Sequence, residues 1–260
     1  MSKFIDRLKS LSRMQSQPIG FRTGLPIFSR PRMQLVASLA QEDAGSLVDR
    51  ATGADAGLLR IIKSGPDADI LEKMSRSAPD IPWGGWVQVA QEEIKGLNQL
   101  SFDFIIFPAE NTPLTALEEN KAGKIIAVAA SLNEGLLRAV NKLPLDAVLI
   151  TGEQSEARSL TWHHLMLFRR FADLLNKPLL AVIPAEVTAA ELQALWEAGI
   201  NGVVIEVAAG QDKDRLQDLR QVIDKLEFPS LRSQKETGPL LPGISRGMGT
   251  STGEEEDDEE

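Results

Sequence analysis

The chain contains no cysteine and no tyrosine, and its only two histidines are adjacent, at His163 and His164. Without cysteine there is no disulfide, no thiol nucleophile and no thiolate metal site. With two neighbouring imidazoles and no phenol, catalytic triads, imidazole proton shuttles and His-rich zinc sites are nearly excluded by inventory. No stretch approaches the roughly 18–20 apolar residues of a membrane span, and the N-terminus lacks the apolar core of a secretory signal. A cytoplasmic protein is the expectation. Nucleotide loops are missing too: after the first strand-like run stands Gln41-Glu42-Asp43, with neither GxGxxG nor GxxxxGK[ST].

What is present is a core-forming composition and a regular alternation. Of 260 residues, 43% are hydrophobic and 25% charged, enough for one large domain without covalent staples. Eight apolar runs recur at 34–40, 57–63, 83–89, 102–108, 124–130, 146–151, 178–184 and 202–207. Helix-patterned segments follow them at 44–51, 68–77, 91–100, 113–119, 133–142, 161–176, 188–198 and 213–226. Runs such as LLAVIP and IIAVAA are apolar in both parities, as parallel strands are when an interior covers one face and helices the other. Eight βα units without hairpin signals predict a single α/β domain, a closed (β/α)8 TIM barrel, over residues 33–228. Gly84 and Gly85 weaken the third strand and predict a bulge or a close backbone approach. Trp83 and Trp86 beside them are read as barrel-filling side chains.

Net charge is −9, unevenly spread. Residues 1–32 hold Lys3, Arg7, Lys9, Arg13, Arg22, Arg30 and Arg32 against one acid, Asp6, whereas residues 254–260 are all acidic. The segment between is mildly acidic, which argues against a nucleic-acid partner. Residues 1–14 read as an amphipathic helix with Phe4, Ile5, Leu8 and Leu11 on one stripe. Its bland use is to close the bottom of the barrel; its sharper use is contact with an anionic membrane or a partner protein. Residues 17–32 read as connector. The Gly-, Ser- and Pro-rich acidic tail, 229–260, is expected to be disordered. Oligomeric state and cofactor are not specified by these features.

Residues 188–207, TAAELQALWEAGINGVVIEV, run a helix through an Ala-Gly-x-x-Gly step into the last strand. Ala54-Asp55-Ala56-Gly57 and Asp146-Ala147-Val148 open earlier strands in a similar way. In these residues the chain resembles the aldolase-type and phosphate-binding (β/α)8 enzymes, among them phosphoribosylanthranilate isomerase, indole-glycerol-phosphate synthase and thiamine-phosphate synthase. The resemblance implies a lyase, isomerase or synthase, with phosphate held by glycine-rich loops after strands seven and eight. There the chain departs from the pattern, with Pro184-Ala185-Glu186-Val187 and Ala208-Ala209-Gly210-Gln211.

Chemistry in such a barrel belongs at the C-terminal strand ends. The candidates there are Lys63, Gln88, Glu110, Asn111, Ser131, Glu153 with Gln154, Glu186 and Glu206. A carboxylate inside VVIEVAA must reach the rim or leave water, so Glu206 paired with Lys63 would make a general base and electrophile for proton abstraction beside a carbonyl. Glu206 in a plain rim salt bridge, or facing the helix layer, is the competing reading, and Arg60 is expected to snorkel or to pair with a carboxylate. Lys63, Glu206 and Glu110 are therefore the catalytic candidates, and Gln88, Asn111, Ser131 and Glu153 the substrate-binding ones. Glu110, Glu153 and Glu186 could together suit a hard divalent cation, although loop carboxylates are usually just solvated and no metal site is assigned. Trp162-His163-His164 opens an outer helix and is read as structural. The function expected is action on a small carbonyl or anionic ligand at this rim. The alternative is a barrel without catalysis that binds partners through its charged termini.

Overall fold

The computed structural model describes residues 2–15, 32–40, 48–61, 74, 76, 78–87, 102–117, 121–152, 159–208 and 214–227. Eight strands, β1 (Gln34–Ala40), β2 (Ala56–Ile61), β3 (Trp83–Val87), β4 (Phe104–Pro108), β5 (Gly123–Ala129), β6 (Ala147–Thr151), β7 (Leu179–Val182) and β8 (Gly202–Val207), pair in parallel in chain order. Six residue pairs from Gln34↔Gly202 to Leu39↔Val207 then close the sheet between β8 and β1. The described helices are α1 (Lys3–Gln15), α2 (Glu134–Val140), α3 (Trp162–Leu174), α4 (Ala189–Glu197) and α5 (Arg215–Asp224). Two segments read as helix, 44–51 and 113–119, contribute 3-10 turns over Val48–Ala51 and Leu114–Leu117. Of the helix expected over 68–77 only Met74 and Arg76 are described, both helical, and the one expected over 91–100 lies outside the described residues.

Strand parity divides the core in two. Residues of one parity, among them Val36, Leu58, Phe104, Ile125, Leu149 and Val204, fill the barrel interior. Residues of the other, such as Leu35, Leu59, Ile105, Ile126, Ile150 and Val203, pack against helix side chains including Phe168, Phe171, Leu195, Trp196 and Leu219. This is why the strands read as apolar in both parities. Gly84 and Gly85 form no bulge, because pairing runs unbroken from Gly57↔Trp83 to Ile61↔Val87. They serve close approach instead: a Cβ on Gly84 would fall 2.3 Å from the Phe104 ring. Of the two tryptophans, Trp83 packs in the helix-facing core rather than inside the barrel, and Trp86 packs against the interior cluster.

Helix α1 is the floor of that interior. Phe4, Ile5 and Leu8 are buried in one cluster with the inward strand residues. The Phe4 and Phe104 rings lie 4.5 Å apart, and Gly123 leaves room for Ile5, whose Cγ1 would be 2.3 Å from any added Cβ. Polar contacts fix the helix. The Asp103 carboxylate accepts the N–H groups of Lys3 (2.8 Å) and Phe4 (3.0 Å) and the Ser2 hydroxyl (2.7 Å), which satisfies donors that a helix start leaves unpaired. Lys9 Nζ binds Asp146 at 2.6 Å and Arg7 donates to the Asp55 carbonyl at 3.1 Å.

Asp55, Asp103, Asp146 and Asn201 each directly precede an even-numbered strand. Their N–H groups donate to Leu35, Trp83, Lys124 and Leu179 respectively, at 2.8–2.9 Å. Three of these side chains return the bond, accepting from Leu35 N (2.8 Å), Lys124 N (2.9 Å) and Leu179 N (2.9 Å). Asp103 turns its carboxylate to α1 instead. The bottom of the barrel is thus a βαβα repeat in which an acid or amide clasps the preceding strand. The Asp55 and Asp146 openings read in the sequence are two members of this set, placed on the face that barrels use for stability.

Candidate functional site

The C-terminal mouth is lined by the last inward residue of each strand. On β2 this is Arg60, on β3 Trp86, on β5 Ala129, on β6 Thr151 and on β8 Glu206. Register sets the neighbours: Ser38 lies across from Glu206, Ala40 from Arg60, and Arg60 from Trp86. Arg60 Nη1 and Glu206 Oε1 meet at 2.8 Å, with the arginine side chain 25% exposed and the glutamate 59%. The guanidinium carbon lies 5.8 Å from the centroid of the Trp86 ring, within cation–π range.

Among the described residues, two polar atoms in this layer have no partner. Arg60 Nε and Ser38 Oγ are both buried without a hydrogen bond, and Ser38 is only 2% exposed. A buried polar group left unpaired costs about 1–3 kcal/mol, so a pair of them at a barrel mouth needs an account. The Thr151 hydroxyl is satisfied by the Val128 carbonyl at 3.1 Å. The opposite wall is small, with Ala127 buried and Ala129 exposed at the top of β5 although its parity is inward.

The rim on either side is tied down by arginines from the helices. Arg170 of α3 donates to the carbonyls of Ala130 (3.0 Å) and Leu132 (2.8 Å). Arg215 of α5 does the same to Ala185 (2.8 Å) and Val187 (3.0 Å). Ser131 and Glu186, each between two clamped carbonyls, are exposed.

Glu206 is in a rim salt bridge, and its partner is Arg60. Glu110 and Asn111 are exposed in the turn after β4. Lys63, Gln88, Glu153 and Gln154 lie outside the described residues. Ser38 and Thr151 were not anticipated. What could have found Ser38 is parity: counted back from the end of β1, it shares the inward face on which Glu206 was suspected. Among the described residues no group of three or more His, Asp or Glu side chains could hold a metal ion. At the start of α3 the His164 Nδ1 accepts the Thr161 N–H at 3.0 Å. No helix among the described residues is long and apolar enough to cross a membrane.

No family model and no curated protein matches the chain. Solved structures do. A mutant tryptophan synthase alpha-subunit from the hyperthermophile Pyrococcus furiosus matches with a TM-score of 0.54 at 14% identity, covering 75% of this chain and 98% of that one. The tryptophan synthase α2β2 complex of the same organism matches with a TM-score of 0.51 and the same identity and coverage. A cube-shaped protein cage designed by fusing symmetric oligomeric domains matches at 0.53 and 16% identity, over 74% of this chain and 71% of that one. At such identities the likeness is one of fold alone: the chain is a closed (β/α)8 barrel.

Proposed function

We propose that this barrel is a cytoplasmic enzyme of the lyase, isomerase or synthase kind, acting on a small carbonyl or anionic compound at its C-terminal mouth. In this reading Arg60 anchors the ligand and Glu206 moves the proton. The observation that carries it is the Arg60–Glu206 pair beside Trp86, with Glu206 exposed and directly across from a buried Ser38 hydroxyl that has no partner among the described residues. A cation–carboxylate pair at the strand ends of a barrel has the two groups that proton abstraction beside a carbonyl requires, a base and a charge to stabilise the oxyanion. An exposed pair of this kind contributes only about 0–1 kcal/mol to stability, so its place at the mouth is poorly explained by folding. The fold likeness to tryptophan synthase alpha adds a scaffold on which such chemistry is common.

Proton abstraction can be read without knowing the substrate. In D2O, small 2-oxo acids, aldehydes and hydroxy ketones are incubated with the protein and followed by proton NMR. The wild type is expected to exchange the hydrogen beside the carbonyl of at least one of them, and Arg60→Gln and Glu206→Gln to lose that exchange. No exchange with any compound sinks the reading. The alternative, a scaffold acting through charged termini, has less support at the N-terminus, where the apolar stripe is buried and Lys9 and Arg7 are held by the barrel floor.

A further inference from the structure

We propose that Glu206 is a built-in occupant of an anion site on Arg60, and that the ligand's own carboxylate displaces it. The inference rests on the mouth being the ligand site and names the ligand class: a small monocarboxylate.

Arg60 is set for a planar anion. Its stem comes from the inner face of β2 and its guanidinium lies over the Trp86 ring, which restricts the fork to few orientations. One Nη is occupied by Glu206 while the buried Nε has no partner. A bidentate carboxylate uses two N–H groups of the fork, so the present contact leaves one donor unmet. The Ser38 hydroxyl is the second unmet group, and its register partner across β8 is Glu206 itself. An incoming carboxylate that reached Nε and Ser38 would satisfy both. Across the mouth, the inward residue of β5 is the exposed Ala129.

Glu206 holds its position loosely. Its side chain is 59% exposed, so water and salt compete for it. A ligand carboxylate that reached the inner donors would be less hydrated there, and it would leave the Glu206 carboxylate beside the bound molecule. Charge selects the class. With Glu206 still beside one guanidinium, a bound monoanion adds one uncompensated negative charge, whereas a phosphate dianion would add two. The β7 loop, Pro184-Ala185-Glu186-Val187, adds a further carboxylate rather than glycine N–H groups.

The test is calorimetric titration of the full chain with pyruvate, acetate, benzoate and inorganic phosphate, with circular dichroism and thermal melts confirming that each variant folds. The wild type should bind at least one carboxylate saturably, and phosphate more weakly. Arg60→Gln should abolish that binding and Ser38→Ala should weaken it. Glu206→Gln should tighten it by roughly two- to fivefold, the factor that corresponds to releasing one solvent-screened ion pair. Unchanged or weaker binding by Glu206→Gln overturns the displacement, while the mouth remains the ligand site if Arg60→Gln still abolishes binding. Phosphate bound more tightly than every carboxylate overturns the ligand class. Wild type and Arg60→Gln binding alike, or no binding by either wild type or Glu206→Gln, overturns both.

Discussion

Glycines at this barrel's contacts separate by what surrounds them, and two positions predict opposite signs. At Gly57 an added Cβ would lie 2.1 Å from Cζ3 of Trp83, a ring that is itself buried in the helix-facing core. Gly57→Ala is therefore expected to destabilise by about 1–3 kcal/mol through overpacking, measured by urea unfolding. At Gly135, in the first turn of α2, an added Cβ would meet Asn133 Oδ1 at 3.4 Å, an ordinary van der Waals contact. There alanine relieves unfolded-chain entropy without a clash, and Gly135→Ala should stabilise by about 0.4–1 kcal/mol in the same assay. At this scale the sequence was partly legible. Gly84-Gly85 announced a close approach, but only the positions of Phe102 and Phe104 show what approaches.

At the scale of elements, α1 is the one whose sequence admitted two uses, since an amphipathic basic helix looks the same on a membrane as on a barrel floor. The structure buries its stripe: Phe4 and Leu8 are both 0% exposed. Leu8→Ala should accordingly cost about 2–5 kcal/mol of unfolding free energy, a core-sized loss, rather than the few tenths of a surface helix. If the stripe instead served a membrane, that variant would unfold like the wild type and lose vesicle binding. For the same reason the full chain is expected to stay in the supernatant when anionic vesicles are sedimented. The rim helices were readable because their caps are local. Thr188 and Glu191 exchange bonds across one turn at the start of α4, with the Thr188 N–H donating to Glu191 Oε2 at 2.8 Å. At Val48–Ala51 and Leu114–Leu117 the described part of two helix-patterned segments takes 3-10 geometry, a tightening that apolar periodicity does not register.

For the molecule as a whole, two aspartates of the floor make stability respond to acid in opposite senses. Burial pushes the Asp146 carboxyl up, but the Lys9 hydrogen bond, the Lys124 N–H and the charges of Lys9 and Lys177 together bring it below the ordinary carboxylate value. A depressed folded pKa means that its contribution is present above the unfolded value, near about 4, and is lost as pH falls through the folded one. The stability gap between wild type and Asp146→Asn should therefore be open at neutral pH and close as pH falls below about 4. At Asp55 burial dominates and leaves the carboxyl raised, against the opposing Arg220 charge and Leu35 N–H. That contribution is full below the unfolded value and lost as pH rises through the folded one, so wild type should gain on Asp55→Asn upon acidification. Urea midpoints across pH for the two variants read both signs, and parallel curves would refute them.

The βα count, the both-parity strands and the bare inventory of side chains were determined by the sequence alone, because periodicity, turn chemistry and composition are local properties. The amphipathic stripe of α1 and the acids before strands two and six were visible in the same way. What the tertiary structure decided is pairing. Whether Glu206 met Lys63, Arg60 or a helix depended on the register across β8, β1 and β2, and register emerges only when the sheet closes and every inward face must share one interior. That closure set Arg60 over Trp86, put Ser38 across from Glu206 with its hydroxyl unmet, and turned three of the four floor side chains back onto the preceding strands. No stretch of chain contains those neighbours, so no local rule could have named them.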